Sequence, residues 1–148
     1  MLFRRILVPV DFSDRSLPAL RVAFELARDV PGARVTIFHV STPQAPLATG
    51  DFRPLLAAAD HGGVPVETVE TEGDPAEKIV ALAREERFDT IIIGTRRRMG
   101  VADYLLGSVA MRVLARAPCP VIAISPDMDT SAARTSEPDR FDTHPLVD

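Results

Sequence analysis

The sequence has little of what most often reveals a chemistry. Its single cysteine, Cys119, excludes an intrachain disulfide and any multi-cysteine metal site, and a reducing cytoplasm is the expected setting. Its single lysine, Lys78, lies in no G-x-x-x-x-G-K-S/T run, so a Walker-type phosphate loop is absent. His39, His61 and His144 show no H-x-x-x-H spacing that would suggest a metal, and no serine lies in G-x-S-x-G. No apolar run approaches the ~18 residues that cross a bilayer, so neither a membrane anchor nor a secretory signal is expected. A broad basic face is missing too. Six of the 21 acids and two of the 17 bases lie from Pro126 onward, which leaves the body balanced at fifteen of each. Nucleic acid is therefore not the expected partner.

What remains is a pattern of short apolar runs separated by amphipathic stretches. Arg4 to Val10 (RRILVPV) holds consecutive Ile, Leu and Val, the signature of a strand covered on both faces. Asp11-Phe12-Ser13-Asp14 follows as a turn, with Ser13 or Asp14 the expected helix cap. Leu17, Leu20, Phe24 and Ala27 then form one helical stripe, which Pro31-Gly32 ends. Ala33 to Val40 reads as a second strand, and 41–50 as a loop. A short helix is expected over Phe52 to His61 with Leu55, Leu56 and Ala59 inward, and a half-exposed edge strand over Val64 to Val69. Gly73-Asp74-Pro75-Ala76-Glu77 opens a third helix: Asp74 caps, Pro75 takes the first helical position and Glu77 completes a capping box. Thr90 to Gly94 is strand four, Leu105 to Ala117 the last helix and Val121 to Ile124 strand five. The chain divides into a folded domain over 1–125 and an acidic tail over 126–148 without periodicity, read as disordered.

Five strands alternating with four helices predict a parallel sheet with helices on both faces. The first and fourth strands are the most apolar and are expected as a central pair. A ligand in such a sheet binds beyond the carboxyl ends of the strands where their order reverses, so Asp11 and Gly94 should face each other across one crevice. Gly94 would let a ligand approach, and Gly107-Ser108 would offer N–H groups and a hydroxyl at the positive end of a helix. Arg96, Arg97 and Arg98 lie between them. The plainer reading is that both glycines serve turns, the arginines are solvated and Asp11 is a turn residue. His39 is expected in the core, and Cys119 as a small structural residue.

Five blocks carry a resemblance: ILVPVDFS, HV at the end of strand two, GDPAEKI, IIIGT and LLGSVAMRVLARAPCPVIAI. From Ile6 to about Ile124 the chain resembles a single-domain universal stress protein. The resemblance implies a Rossmann-like open sheet of order 3-2-1-4-5, of the adenine nucleotide alpha hydrolase-like kind. It also implies a cytoplasmic, ATP-binding regulatory module, with Mg2+ accompanying any ATP. Asp11 and the backbone near Val40 would hold adenosine, while Gly94, Gly107 and Ser108 would hold phosphates. The family's nucleotide-binding motif is G-x2-G-x9-G-S/T, and Arg97 stands at its second glycine. Turned inward, that guanidinium would block the pocket; turned over the phosphates, it would bond to them. Homodimerisation through Val121 to Ile124 is likewise implied. Two other functions stand beside this one: a nucleotide-free dimer whose Arg96–Arg98 loop binds an acidic protein, and a slow ATP hydrolase. No catalytic residue is assigned.

Overall fold

The computed structural model describes residues 2–12, 16–43, 51–95 and 107–125. In chain order the elements are β1 (Arg5–Pro9), α1 (Ser16–Ala27), β2 (Arg34–Ser41), α2 (Arg53–Ala59), β3 (Val66–Glu72), α3 (Pro75–Glu85), β4 (Thr90–Gly94), α4 (Ser108–Arg116) and β5 (Val121–Ile124). The five strands form one parallel sheet of order β3-β2-β1-β4-β5. β1 is central, and its pairing with β4 (Ile6 with Thr90, Leu7 with Ile91) is where the order reverses.

Alternation along the strands divides the core between the two faces of the sheet. Ile6, Val8, Val35, Ile37, Ile92 and Ile124 pack under α1 and α2 with Leu20, Ala23 and Phe24. Leu7, Phe38, Ile91 and Ile93 point the other way, under α3 and α4 with Ile79, Ala83, Ala110 and Val113. This explains the unbroken Ile-Leu-Val and Ile-Ile-Ile runs, since each neighbouring residue finds its own apolar layer.

The elements differ from the sequence-based expectation mainly where polarity is high. β3 starts at Val66 because Val64 closes a turn onto the His61 carbonyl and Pro65 contributes only its carbonyl, to Val35 N–H. It runs on to Glu72 because pairing with β2 continues to Ser41. Gly73, at φ 138°, then turns the chain into α3. α2 is shorter than expected, and of its three inward residues only Ala59 is fully buried; Leu55 and Leu56 are half-buried. Ser13, Asp14, Leu105 and the tail lie outside the described residues.

Candidate functional site

The parallel arrangement brings the amino ends of α1, α3 and α4 to the carboxyl edge of the sheet. There, beside the β1–β4 crossover, lies an open-mouthed cavity of ≈ 190 Å³. Strand ends supply Pro9, Val10, Asp11, Phe38, Val40, Ile93 and Gly94 to its wall; helix starts supply Ser16, Pro75, Ser108 and Val109. Five of the six residues singled out from sequence, Asp11, Val40, Gly94, Gly107 and Ser108, thus line one hollow. The sixth, Arg97, lies outside the described residues, as do Arg96 and Arg98.

Each of the five is placed by local structure. Asp11 follows β1 and is held by a reciprocal pair with the first residue of α1: its N–H donates to Ser16 Oγ at 3.0 Å, and that hydroxyl donates to Asp11 Oδ1 at 3.2 Å. Val40 lies near the carboxyl end of β2 and Gly94 ends β4, paired with Ile124. Gly94 is extended, so its contribution is the missing side chain and not the left-handed backbone that a glycine allows. Thr95 fixes the exit from β4 by donating its N–H to the Ile124 carbonyl at 2.9 Å.

Two helix starts in the wall contrast. At α3, Asp74 caps its own helix by accepting from Glu77 N–H at 2.9 Å, as the sequence predicts. Its carboxylate also takes both guanidinium nitrogens of Arg112 from α4, at 2.9 and 2.8 Å. Arg112 above all, and then the Glu77 N–H, hold the Asp74 carboxyl below its ordinary range. At α4 the N-cap is Gly107, which has no side chain to accept from the first-turn amides. That start carries the partial positive charge of a helix terminus, and its cap residue brings no acceptor side chain. An oxygen anion is the chemistry it suits.

Sequence reasoning missed Ser16 as Asp11's partner, Ile79 of α3 as a wall residue and the Asp74–Arg112 bridge. A hydroxyl five residues beyond Asp11 was the available signal for the first. The bridge joins residues 38 apart and leaves no local trace. His39 is buried as expected, and Cys119 is partly buried, with burial and then Asp89 pushing its thiol upward. Among the described residues no group of three or more His, Cys, Asp or Glu could hold a metal, and no helix is long and apolar enough to cross a membrane.

Comparison with known proteins agrees with this geometry. Universal stress protein MJ0531 of Methanocaldococcus jannaschii is 32% identical over 140 residues, covering 83% of this chain and 82% of that protein. A universal stress protein solved in complex with cAMP superposes with a TM-score of 0.67 at 27% identity, over 86% of this chain and 100% of that one. Another, from Archaeoglobus fulgidus in complex with dAMP, gives 0.63 at 28% identity, over 84% and 99%. The model of the universal stress protein family matches residues 2–125, and this chain belongs to that family.

Proposed function

We propose that this protein is an adenine-nucleotide-binding regulatory module, with ATP its ligand and Mg2+ arriving on the triphosphate. The observation that carries the reading is the glycine-capped start of α4 sharing one cavity with Asp11 at the strand crossover. In this reading Asp11 and the backbone near Val40 take the nucleoside, and Gly94, Gly107 and Ser108 take the phosphates. Relatives solved with cAMP and dAMP support the adenine class. The cavity is smaller than the ~300–1,000 Å³ of typical enclosed pockets, which suits a ligand whose phosphates extend toward solvent. Arg97, between β4 and α4 in the sequence, is assigned to the phosphates. The protein is taken to work in the cytoplasm.

A homodimer through β5 belongs to the same reading. Val121, Ile122 and Ala123 are only half-buried on that outermost strand, and an apolar edge needs cover. The test of the whole proposal is to denature the purified protein, assay the supernatant for adenine nucleotide, and record thermal shifts with ATP and with adenosine. Released nucleotide and a larger shift with ATP are expected. No nucleotide and no shift with either ligand would overturn the proposal and favour an interaction module.

A further inference from the structure

Two local violations flank Asp11. Phe12, the next residue, has φ 62°, a left-handed backbone that is costly for a side chain of this size. His39, 3% exposed, approaches the Val10 carbonyl with Nδ1 at 2.9 Å. A carbonyl can only accept, so Nδ1 carries a proton, and in the neutral ring Nε2 is then an acceptor. That Nε2 is buried and has no hydrogen-bond partner among the described residues. The two anomalies touch, since the Phe12 and His39 rings lie 4.5 Å apart, and Phe52, just before α2, meets Phe12 at 5.2 Å. A strained residue and an orphaned polar atom both cost stability, and they persist where the surroundings impose them. Here they grip Val10 and Phe12 on either side of Asp11.

We propose that His39 is a positioning residue for the nucleoside end of the cavity: its Nδ1–H and its tilted ring contact with Phe12 fix the Val10–Phe12 turn so that Asp11 is presented to the ligand. The ligand half of this statement rests on the nucleotide reading above; the turn-fixing half does not. His39 touches no ligand in this account and acts only through its neighbours.

The test uses the full chain with His39→Phe and His39→Asn. Phenylalanine keeps a ring against Phe12 but loses the donor, and it also removes the orphaned acceptor. Asparagine keeps a donor near the place of Nδ1 and loses the ring. Nitrogen-15 spectra of the wild-type ring are expected to show the Nδ1–H tautomer. His39→Phe strands the Val10 carbonyl while removing the unpartnered Nε2, so it should melt close to the wild-type temperature, yet exchange the Asp11 and Phe12 amides about tenfold faster. It should also bind adenosine and ATP each about tenfold more weakly, the loss expected for one hydrogen-bonded constraint. His39→Asn should recover most of that binding in spite of a lower melting temperature.

An Nε2–H tautomer, unchanged exchange in His39→Phe, or binding that simply follows melting temperature in both variants would overturn the proposal. If the wild type binds neither adenosine nor ATP, the nucleotide reading falls, and the tautomer and exchange results still decide the role of His39.

Discussion

The two edges of the sheet are built to opposite rules. At the amino edge a single carboxylate is fully engaged: Asp89 accepts from the N–H groups of Phe3, Arg4 and Arg5 at 2.8, 3.0 and 2.8 Å and from Thr90 Oγ1 at 2.8 Å. A cavity of ≈ 360 Å³ lies at this edge too, among Arg28, Arg34, Gly62 and Gly63. It is the larger of the two hollows, but α1 and α2 point their carboxyl ends toward it. The arginines there offset the partial negative charge of those ends. At the carboxyl edge the hollow is smaller, helix amino ends line it, and α4 begins at a glycine that brings no side-chain cap. The direction of the backbone dipoles, more than the size of the void, distinguishes a site from a gap.

Substitution at Asp89 should break that contrast hardest. Asp89→Ala strands three backbone donors, and a stability loss of about 3 kcal/mol is expected in denaturant unfolding, with ATP affinity in the folded protein unchanged. Ser108→Glu should do the reverse. A carboxylate in the first turn of α4 complements the helix dipole by about 0.5 kcal/mol. It also repels phosphate, so calorimetry should show ATP binding weakened about tenfold or more while adenosine is little affected. Ser108→Ala is the milder form, with about a fivefold loss for ATP from one missing hydroxyl bond.

The smallest effect concerns the bridge between α3 and α4. The Asp74 carboxyl titrates below its ordinary value because of Arg112 first and the Glu77 N–H second. A carboxylate depressed in the folded state stabilises above its unfolded pKa of about 3.9, and that contribution disappears as pH falls through the folded value. Asparagine keeps the cap and loses the charge. Asp74→Asn should therefore lower stability across the neutral region and flatten the acid limb below about pH 4, where variant and wild type converge. Both partners are well exposed, so the change should be modest.

The same contrast explains what could be read from the residues. β4 and β5 keep their expected bounds because Asp89, Gly94 and Pro120 punctuate apolar runs that have one physical use. β3 slid along the chain because Val-Glu-Thr-Val-Glu-Thr-Glu pairs on one side only, and a half-exposed strand has weak ends. That Asp11, Gly94, Gly107 and Ser108 share one hollow was legible because they stand at strand ends and a helix start, whereas Val40 came only from the family resemblance. The long-range contacts of the fold were not legible. Asp89 reaches residues 84 to 86 positions away, Arg112 reaches 38, and the Nδ1 contact of His39 spans 29. Such pairs exist only once the sheet has closed. His39 was expected in the core, but that its Nε2 has no partner among the described residues is a property of packing without a sequence signature.

Whether the carboxyl edge or the amino edge receives an adenine nucleotide is decided by titrating the nitrogen-15-labelled protein with Mg-ATP. Saturable shifts of the Asp11, Val40, Gly94, Gly107 and Ser108 amides are expected, with those of Gly32, Gly62 and Asp89 still. Shifts centred on Gly62, Gly63 and Arg34 instead, or no saturable shifts at millimolar ATP, would contradict nucleotide binding at the carboxyl edge.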